Sequence, residues 1–520
     1  MAQRHSYVRH QQPGFGVGDI LAGVSVALMV IPQSLAYAEV AGMPAYTGLY
    51  AAALPSIISA FFVSSPYLQT GPVALTSLLT FSALSPLATP GTPAYISLAA
   101  LLALIVGTGR IGIGLFKFGS VASLMSHPVL MGFASAAAFL IVMSQFPTAV
   151  GMSTLAGGIL WQVFWTLAHP NAWEPMAVAL TGITVAIVVL GRRLHPLVPG
   201  VLLAMGFGIA VSHLTGYTGA VVGIIPTGLP KPHLTLPWEA FPSLLISGGV
   251  IALVGFSEAV AIARTYATQE RMPWDANQEF ISQGVANIAA GLFGGLPVGS
   301  SFSRSAINHL AGATSRWSGA ITGLVVLAFL PFTGILARLP KAVLGAIVIT
   351  AVFNLIRPRQ LLALWRYSHP QATIAWLTFG LTLGLAPRVD LAVLIGIALA
   401  VAQHLRREQQ LVFEHWIDND LQVLHCQPLG VLWFGSAPLL EEQFTLLLAQ
   451  HPDVRTVRWH LGGLGRIDLS AAMLLQELIV NTQHAGLDVE LLEVPPMAKS
   501  WEVRIWHLGS SGSERDSHKT

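Results

Sequence analysis

Apolar runs recur along the chain from Asp19 to His404, broken by glycine, proline and charged residues, and several approach the ~20 residues that a helix needs to cross about 30 Å of hydrocarbon. Their breaks predict spans over 17–40, 46–63, 72–86, 94–116, 127–150, 174–191, 197–215, 243–264, 278–296, 300–312, 315–338, 340–356, 370–387 and 389–405. That is about fourteen spans, read as a polytopic α-helical membrane protein. Two of them, 72–86 and 300–312, are too short to cross at about 1.5 Å per residue, and each begins at a Gly/Pro-rich break. They read as half-helices. They are third and tenth, the same place in each half if the chain divides seven plus seven, and a repeat unit with an odd number of spans must be inverted in the membrane. Paired short or interrupted segments in corresponding positions point to a transporter's binding site. Here the pairs are span 3 with span 10 and span 1 with span 8.

After Arg407 the texture changes. Charged residues become common, apolar runs shorten to strand length at 421–425, 429–434, 454–461 and 487–492, and helical patterns fall at 437–450 and 468–485. The expected organisation is a polar N-terminal segment 1–16, a transmembrane domain 17–405, a small α/β domain 409–508 and a polar tail 509–520. Residues 157–169 carry Trp161, Phe164 and Trp165 but are short for a span, which predicts an interfacial helix.

Composition supports lipid as the solvent: 53% of the residues are hydrophobic and 10% charged, against about a quarter charged in a soluble domain. The 50 glycines and 32 prolines suit membrane helices, where neighbouring protein satisfies freed backbone groups. A net charge of +2 without a polybasic tract leaves nucleic acid no electrostatic footprint. Cys426 is the single cysteine, so an intrachain disulfide and a thiolate cluster are excluded. The histidines show no metal-ligand spacing, and His415, His425, His451 and His460 read as scattered surface residues; no metal or cofactor is expected. Loops after even-numbered spans hold Lys117, Arg192, Arg193, Arg264, Arg271, Arg357, Arg359, Arg366, Arg406 and Arg407, and those after odd-numbered spans only Lys231, Arg338, Lys341 and Arg388. By the positive-inside rule both termini are cytoplasmic, in a multi-pass cell membrane protein.

The candidate chemistry lies in the paired spans. Span 1 reads Ile31-Pro-Gln-Ser-Leu-Ala-Tyr-Ala-Glu39, in which Pro32 weakens the helix and Gln33 and Tyr37, four apart, share a face. Those two groups suit either a helix-packing hydrogen bond or a ligand site. Span 3 opens with Gln69-Thr-Gly-Pro-Val-Ala-Leu-Thr-Ser77 and span 10 with Leu296-Pro-Val-Gly-Ser-Ser-Phe-Ser-Arg-Ser305. Half-helix N-termini leave unpaired N–H groups and positive dipole ends near the bilayer midplane, a site built for an anion. Thr76, Ser77, Ser301 and Ser303 can add donors, and Arg304 a fixed positive charge. Span 8 carries Glu258, and a carboxyl group inside the membrane either pairs permanently or titrates. Glu258 is the first candidate for proton coupling and Glu39 the second. The cluster Asp275-Ala-Asn-Gln-Glu279 is expected to cap span 9.

These residues resemble the SulP family, the sulfate permeases and anion exchangers that include prestin. The match is carried by Pro32-Gln-Ser-Leu-Ala-Tyr-Ala38 with Ala41-Gly-Met-Pro44 and Gly48-Leu-Tyr50, by Gly71-Pro-Val-Ala74, by Asp275 to Glu279, and by Pro297-Val-Gly-Ser-Ser-Phe-Ser-Arg-Ser-Ala-Ile-Asn308. The resemblance implies fourteen spans in two inverted halves, similar to uracil permease, with spans 1–4 and 8–11 as a mobile core and 5–7 and 12–14 as a gate. It places the anion pocket on Gln33, Tyr37, Val73, Ser301, Phe302, Ser303 and Arg304, and it alone supplies Val73 and Phe302. It also implies a homodimer, and a STAS domain whose signature turn falls at Gly462 to Ala472. Related anti-sigma antagonists carry Asp-Ser-Ser-Gly there with the first serine phosphorylated. This chain reads Asp468-Leu-Ser-Ala, which argues for scaffolding over phosphoregulation.

The function expected is secondary active transport of a small anion, sulfate or a relative such as bicarbonate or a dicarboxylate, by proton symport and an elevator-type movement. An anion exchanger or an uncoupled channel is the alternative. No pairing of nucleophile and base suggests an enzyme.

Overall fold

The computed structural model describes residues 14–152, 158–223, 225–226, 228–409, 411–418 and 422–494. Most of the expected N-terminal segment, the end of the α/β domain and all of the tail lie outside these. The described chain divides into two compact units, with the cut between Ala400 and Val401.

The first unit is helical. Its elements are α1 (Val17–Val40), α2 (Ala45–Ala60), β1 (Thr70–Gly71), α3 (Ala74–Leu84), α4 (Pro93–Leu115), α5 (His127–Ala149), α6 (Ile159–Ala168), α7 (Pro175–Leu194), α8 (Gly200–Thr215), α9 (Phe241–Gln269), α10 (Ala276–Leu292), β2 (Gly299–Ser300), α11 (Phe302–Leu310), α12 (Trp317–Phe329), α13 (Lys341–Val352), α14 (Pro358–Tyr367), α15 (His369–Gly384) and α16 (Val389–Glu408). Among the described residues eight helical segments are long and apolar enough to cross a membrane. Each of the fourteen expected runs holds a helix, and α6 and α14 fall between them. The sequence places α14 in a basic loop, because Arg357, Arg359 and Arg366 break its apolar run, but its Leu361 is buried while its charges lie outward, as in an amphipathic helix.

Two groups of helices are distinguishable by what they touch. One packs α4 on α10 and α9, α2 on α10 and α12, and α1 on α2, α11 and α12; the other packs α5 on α13 and α15, and α7 on α8 and α13. α1 and α3 carry contacts across to the second group, on α13, α8 and α5. Small residues permit the tightest approaches, as expected where lipid supplies no hydrophobic drive between helices. Gly107 of α4 faces Gly284 of α10, and a β-carbon on either would sit 2.8 Å from the other's carbonyl oxygen. The flanks of the unit expose large apolar side chains, among them Leu203, Leu245, Ile246 and Leu324, which fits a lipid-facing surface.

The two half-helices are short, as expected: α3 has 11 residues and α11 has 9, about 16 Å and 14 Å long. Each follows a two-residue strand, and the strands pair antiparallel, Thr70 with Ser300 and Gly71 with Gly299. This sheet pins the two N-termini against each other inside the first group.

The second unit folds as a mixed sheet with two helices: β3 (Val412–Asp418), β4 (Val423–Leu432), α17 (Ala437–Gln450), β5 (Thr456–His460), β6 (Leu464–Ile467), α18 (Leu469–His484) and β7 (Asp488–Leu492). The strand order is β3-β4-β5-β7, with β6 on β4. The runs read at 421–425 and 429–434 are one strand, and residue 421 lies outside the description. The apolar pattern does not mark β3, because Glu414, His415 and Asp418 interrupt it and this edge strand has no buried position. β6 is only four residues long. The core packs Phe444, Trp459, Leu424 and Leu478 between sheet and helices.

Candidate anion site between the half-helices

Neither half-helix has a side-chain cap. Val73 is the N-cap of α3 and Ser301 that of α11, both with extended backbone and without a capping side-chain hydrogen bond. The Ser301 hydroxyl instead meets Ser303 Oγ at 3.1 Å. The first N–H groups of both helices are therefore left to a ligand or water. Of the remaining hydroxyls, Thr76 is committed, donating to the Val73 and Pro297 carbonyls, each at 3.2 Å, and so tying α3 to the segment before β2. Ser77 Oγ is buried with no protein partner.

Arg304, in the first turn of α11, is fully buried. Its Nη1 donates to the Pro72 carbonyl at 2.7 Å, while Nε and Nη2 find no protein partner. The guanidinium thus lies under β1, and a β-carbon on Gly71 would stand 3.4 Å from Nη2. Gln33 repeats the pattern: it is 1% exposed and neither end of its amide has a protein partner. Buried polar groups are almost always satisfied, so an orphaned guanidinium and amide call for a bound group or water. Tyr37, Glu258 and Arg304 lie within electrostatic reach of one another. At the rim, Phe302 is 47% exposed and Ser303 is exposed too, so the N-terminus of α11 is accessible.

The expected residues therefore fall into three sets. Tyr37, Glu258 and Arg304 come within electrostatic reach of one another from α1, α9 and α11, and Gln33 lies one turn before Tyr37 on α1. Val73, Ser301, Phe302 and Ser303 form the two uncapped ends. Glu39 stands apart, its Oε1 3.2 Å from Lys341 Nζ of α13.

Three buttressing residues were not singled out from sequence. Arg110 of α4 is buried and donates to the carbonyls of Ile251, Ala252 and Val298 at 3.0–3.1 Å, bracing α9 against the segment before β2. Gln283 Nε2 donates to Thr70 Oγ1 at 2.8 Å, and Asn287 both donates to the Val298 carbonyl at 3.1 Å and accepts from its N–H at 2.9 Å. The available signal was spacing. Glu279, Gln283 and Asn287 recur every fourth residue of an apolar span, one polar face of α10 turned inward. The Asp275 cluster caps α10 as expected, with Asp275 accepting from the Asn277 and Gln278 amides. It also does more: buried Glu279 accepts from the Ser64 and Ser65 amides at 3.1 and 3.4 Å, holding the segment after α2.

In the second unit, Asp468 caps α18 by accepting from the Ala471 amide at 2.8 Å and also accepts from the Phe434 amide at 3.1 Å. Leu469 occupies the first helical position and is exposed. The histidines are not all scattered. His425 and His460, on neighbouring parallel strands, share a 2.9 Å hydrogen bond, and Trp416 stacks on His425. Strand pairing joins residues that lie 35 apart in the chain. No group of three or more metal-ligating side chains is found among the described residues.

Broken helices crossing at a short sheet, with uncapped N-termini and an unsatisfied guanidinium between them, define a helical membrane transporter. Residues 17–378 match the Sulfate permease family, and the chain belongs to that family. A "Probable sulfate transporter" of Mycobacterium tuberculosis is 36% identical over 397 residues, 75% of this chain and 70% of the relative. A "Sodium-independent sulfate anion transporter" of Bos taurus is 30% identical over 520 residues, covering 92% and 84%. Among solved structures, SLC26A9 superposes with a TM-score of 0.85 at 22% identity, over 96% of this chain and 87% of that one. The transmembrane domain of the cyanobacterial bicarbonate transporter BicA gives 0.63 at 24% identity, over 74% and 97%. The chain is an anion transporter, not an enzyme, and its C-terminal α/β unit fits the STAS domain of the family.

Proposed function

We propose that this protein carries sulfate or a closely related oxyanion into the cell by proton symport, with Gln33, Tyr37, Val73, Ser301, Phe302, Ser303 and Arg304 forming the anion site and Glu258 coupling the proton. The observation that carries this reading is the orphaned Arg304 guanidinium at two uncapped helix ends, with an orphaned Gln33 amide on α1, the helix that packs against both. Glu258 supplies the coupling because its charge acts on Arg304. While ionised it offsets the guanidinium and repels an incoming anion, and once protonated it leaves Arg304 free to bind one. Proton and anion then travel together. The two groups of helices act as core and gate, and an elevator-type slide of the core exposes the site to each side in turn. The relatives' names favour sulfate. Both termini are assigned to the cytoplasm of the cell membrane, the transmembrane domain to 17–405 and the STAS domain to 409–508, with a homodimer as the working assembly.

The test is radiolabelled sulfate uptake into proteoliposomes with and without an inward proton gradient. The wild-type protein should need the gradient, and Glu258→Gln should bind sulfate, read as thermal stabilisation, yet lose the gradient dependence. Unchanged gradient-driven uptake by Glu258→Gln overturns the coupling assignment. Uptake that follows anions on the far side marks an exchanger, and sustained currents mark a channel.

A further inference from the structure

A second polar feature lies away from the half-helices. At the end of α1 opposite its N-terminus, a cavity of about 960 Å³ opens between the two groups of helices, lined by α1 and α3 on one side and by α5, α6 and the start of α13 on the other. Among the described residues two charged side chains line it, Glu39 and Lys341, and they are paired with each other at 3.2 Å. The pair joins α1 of the first group to α13 of the second. The partners are unequally accessible: the Lys341 side chain is 39% exposed and that of Glu39 15%. Nearby, the buried Ser85 Oγ has no protein partner and Gln145 brings an amide to the wall.

We infer that this cavity is a separate docking site for the transported anion, in which the anion takes Lys341 from Glu39 and so unfastens the first group from the second. An oxyanion entering the cavity meets a single cation, and it can hold that cation only by displacing the carboxylate already there. A doubly charged sulfate competes on better terms than one carboxylate, and Ser85 and Gln145 can donate to its other oxygens. Arrival of cargo thereby weakens a contact that a sliding core must break. The inference rests on anion transport, which membership of the family supplies, and not on the assignment of the half-helix site.

The experiment uses the full chain in proteoliposomes with Cys426→Ser and a reporter cysteine, Ser144→Cys, on the cavity wall. An uncharged maleimide labels the reporter while sulfate is titrated, and sulfate uptake is measured in parallel. Sulfate should slow labelling in the reporter background and with Arg304→Gln, and should fail to do so with Lys341→Gln, whereas Lys341→Arg retains the protection. Half-saturating sulfate should rise about tenfold in Lys341→Gln, the scale of one charge-assisted hydrogen bond, and fall in Glu39→Gln. A pair with only a structural role moves both single variants the same way, and that result overturns the inference. So does protection that survives Lys341→Gln. Protection lost with Arg304→Gln also overturns it, because the probe would then be reading the half-helix site.

Discussion

α3 and α11 occupy corresponding places in the two halves of the transport unit, and their chemistry is nearly opposite. α3 is buried almost throughout and apolar, with hydroxyls as its only polar side chains. α11 is polar, exposes its first residues, and carries the guanidinium. The internal repeat supplies geometry twice, as two uncapped N-termini joined by β1 and β2, whereas the charge enters once. Arg304 in the first turn of α11 is the fixed charge beside these two ends, and under the proposed function it gives the site its sign.

Removing the charge should break this asymmetry most severely. Arg304→Gln is expected to cut sulfate uptake about 100-fold, whereas Ser77→Ala on the α3 side should cost no more than about threefold. Equal losses in the uptake assay would show that the two half-helices contribute alike. The supports beneath the strands should differ next. Asn287→Ala leaves the Val298 N–H beside β2 unpaired, while Arg110 still holds the Val298 carbonyl, and should destabilise the protein by about 2 kcal/mol, whereas Gln283→Ala frees one hydroxyl beside β1 and should cost about 1 kcal/mol. Thermal unfolding in detergent ranks them. The C-terminal unit is the control, because its titration should not depend on either half-helix. Burial, with His460 and Arg458 beside it, holds the His425 imidazole below its ordinary value. The unfolded chain therefore takes up the proton first, and stability falls as pH drops below about 6.5 and through the lower folded value. The effect is small because His425 is only half buried, and His425→Gln should flatten the pH dependence of the melting temperature in that window.

Much of this molecule is written locally. The lengths of the apolar runs in 17–405, the two runs too short to cross, and the Gly/Pro breaks at 71–72 and 297–299 establish the membrane architecture and locate the half-helices, because a helix in lipid must satisfy its own backbone. Arg304, Gln33, Tyr37 and Glu258 could be picked out for the same reason, since polar groups in such runs are costly without a purpose. Other features depend on which elements meet. The antiparallel pairing of Thr70–Gly71 with Gly299–Ser300 joins segments more than two hundred residues apart, and nothing in either dipeptide specifies it. Arg110, Gln283 and Asn287 become supports only when α4 and α10 pack beside the strands. His425 meets His460 only through the register of β4 on β5. Glu39, an intramembrane carboxyl like Glu258 in the sequence, is distinguished from it by Lys341 on a helix that closes against α1. Sequence by itself determined which groups must be satisfied. Tertiary structure decided by which partners, because satisfaction depends on distance in space and the spacing along a chain fixes distance only within one helix or one strand.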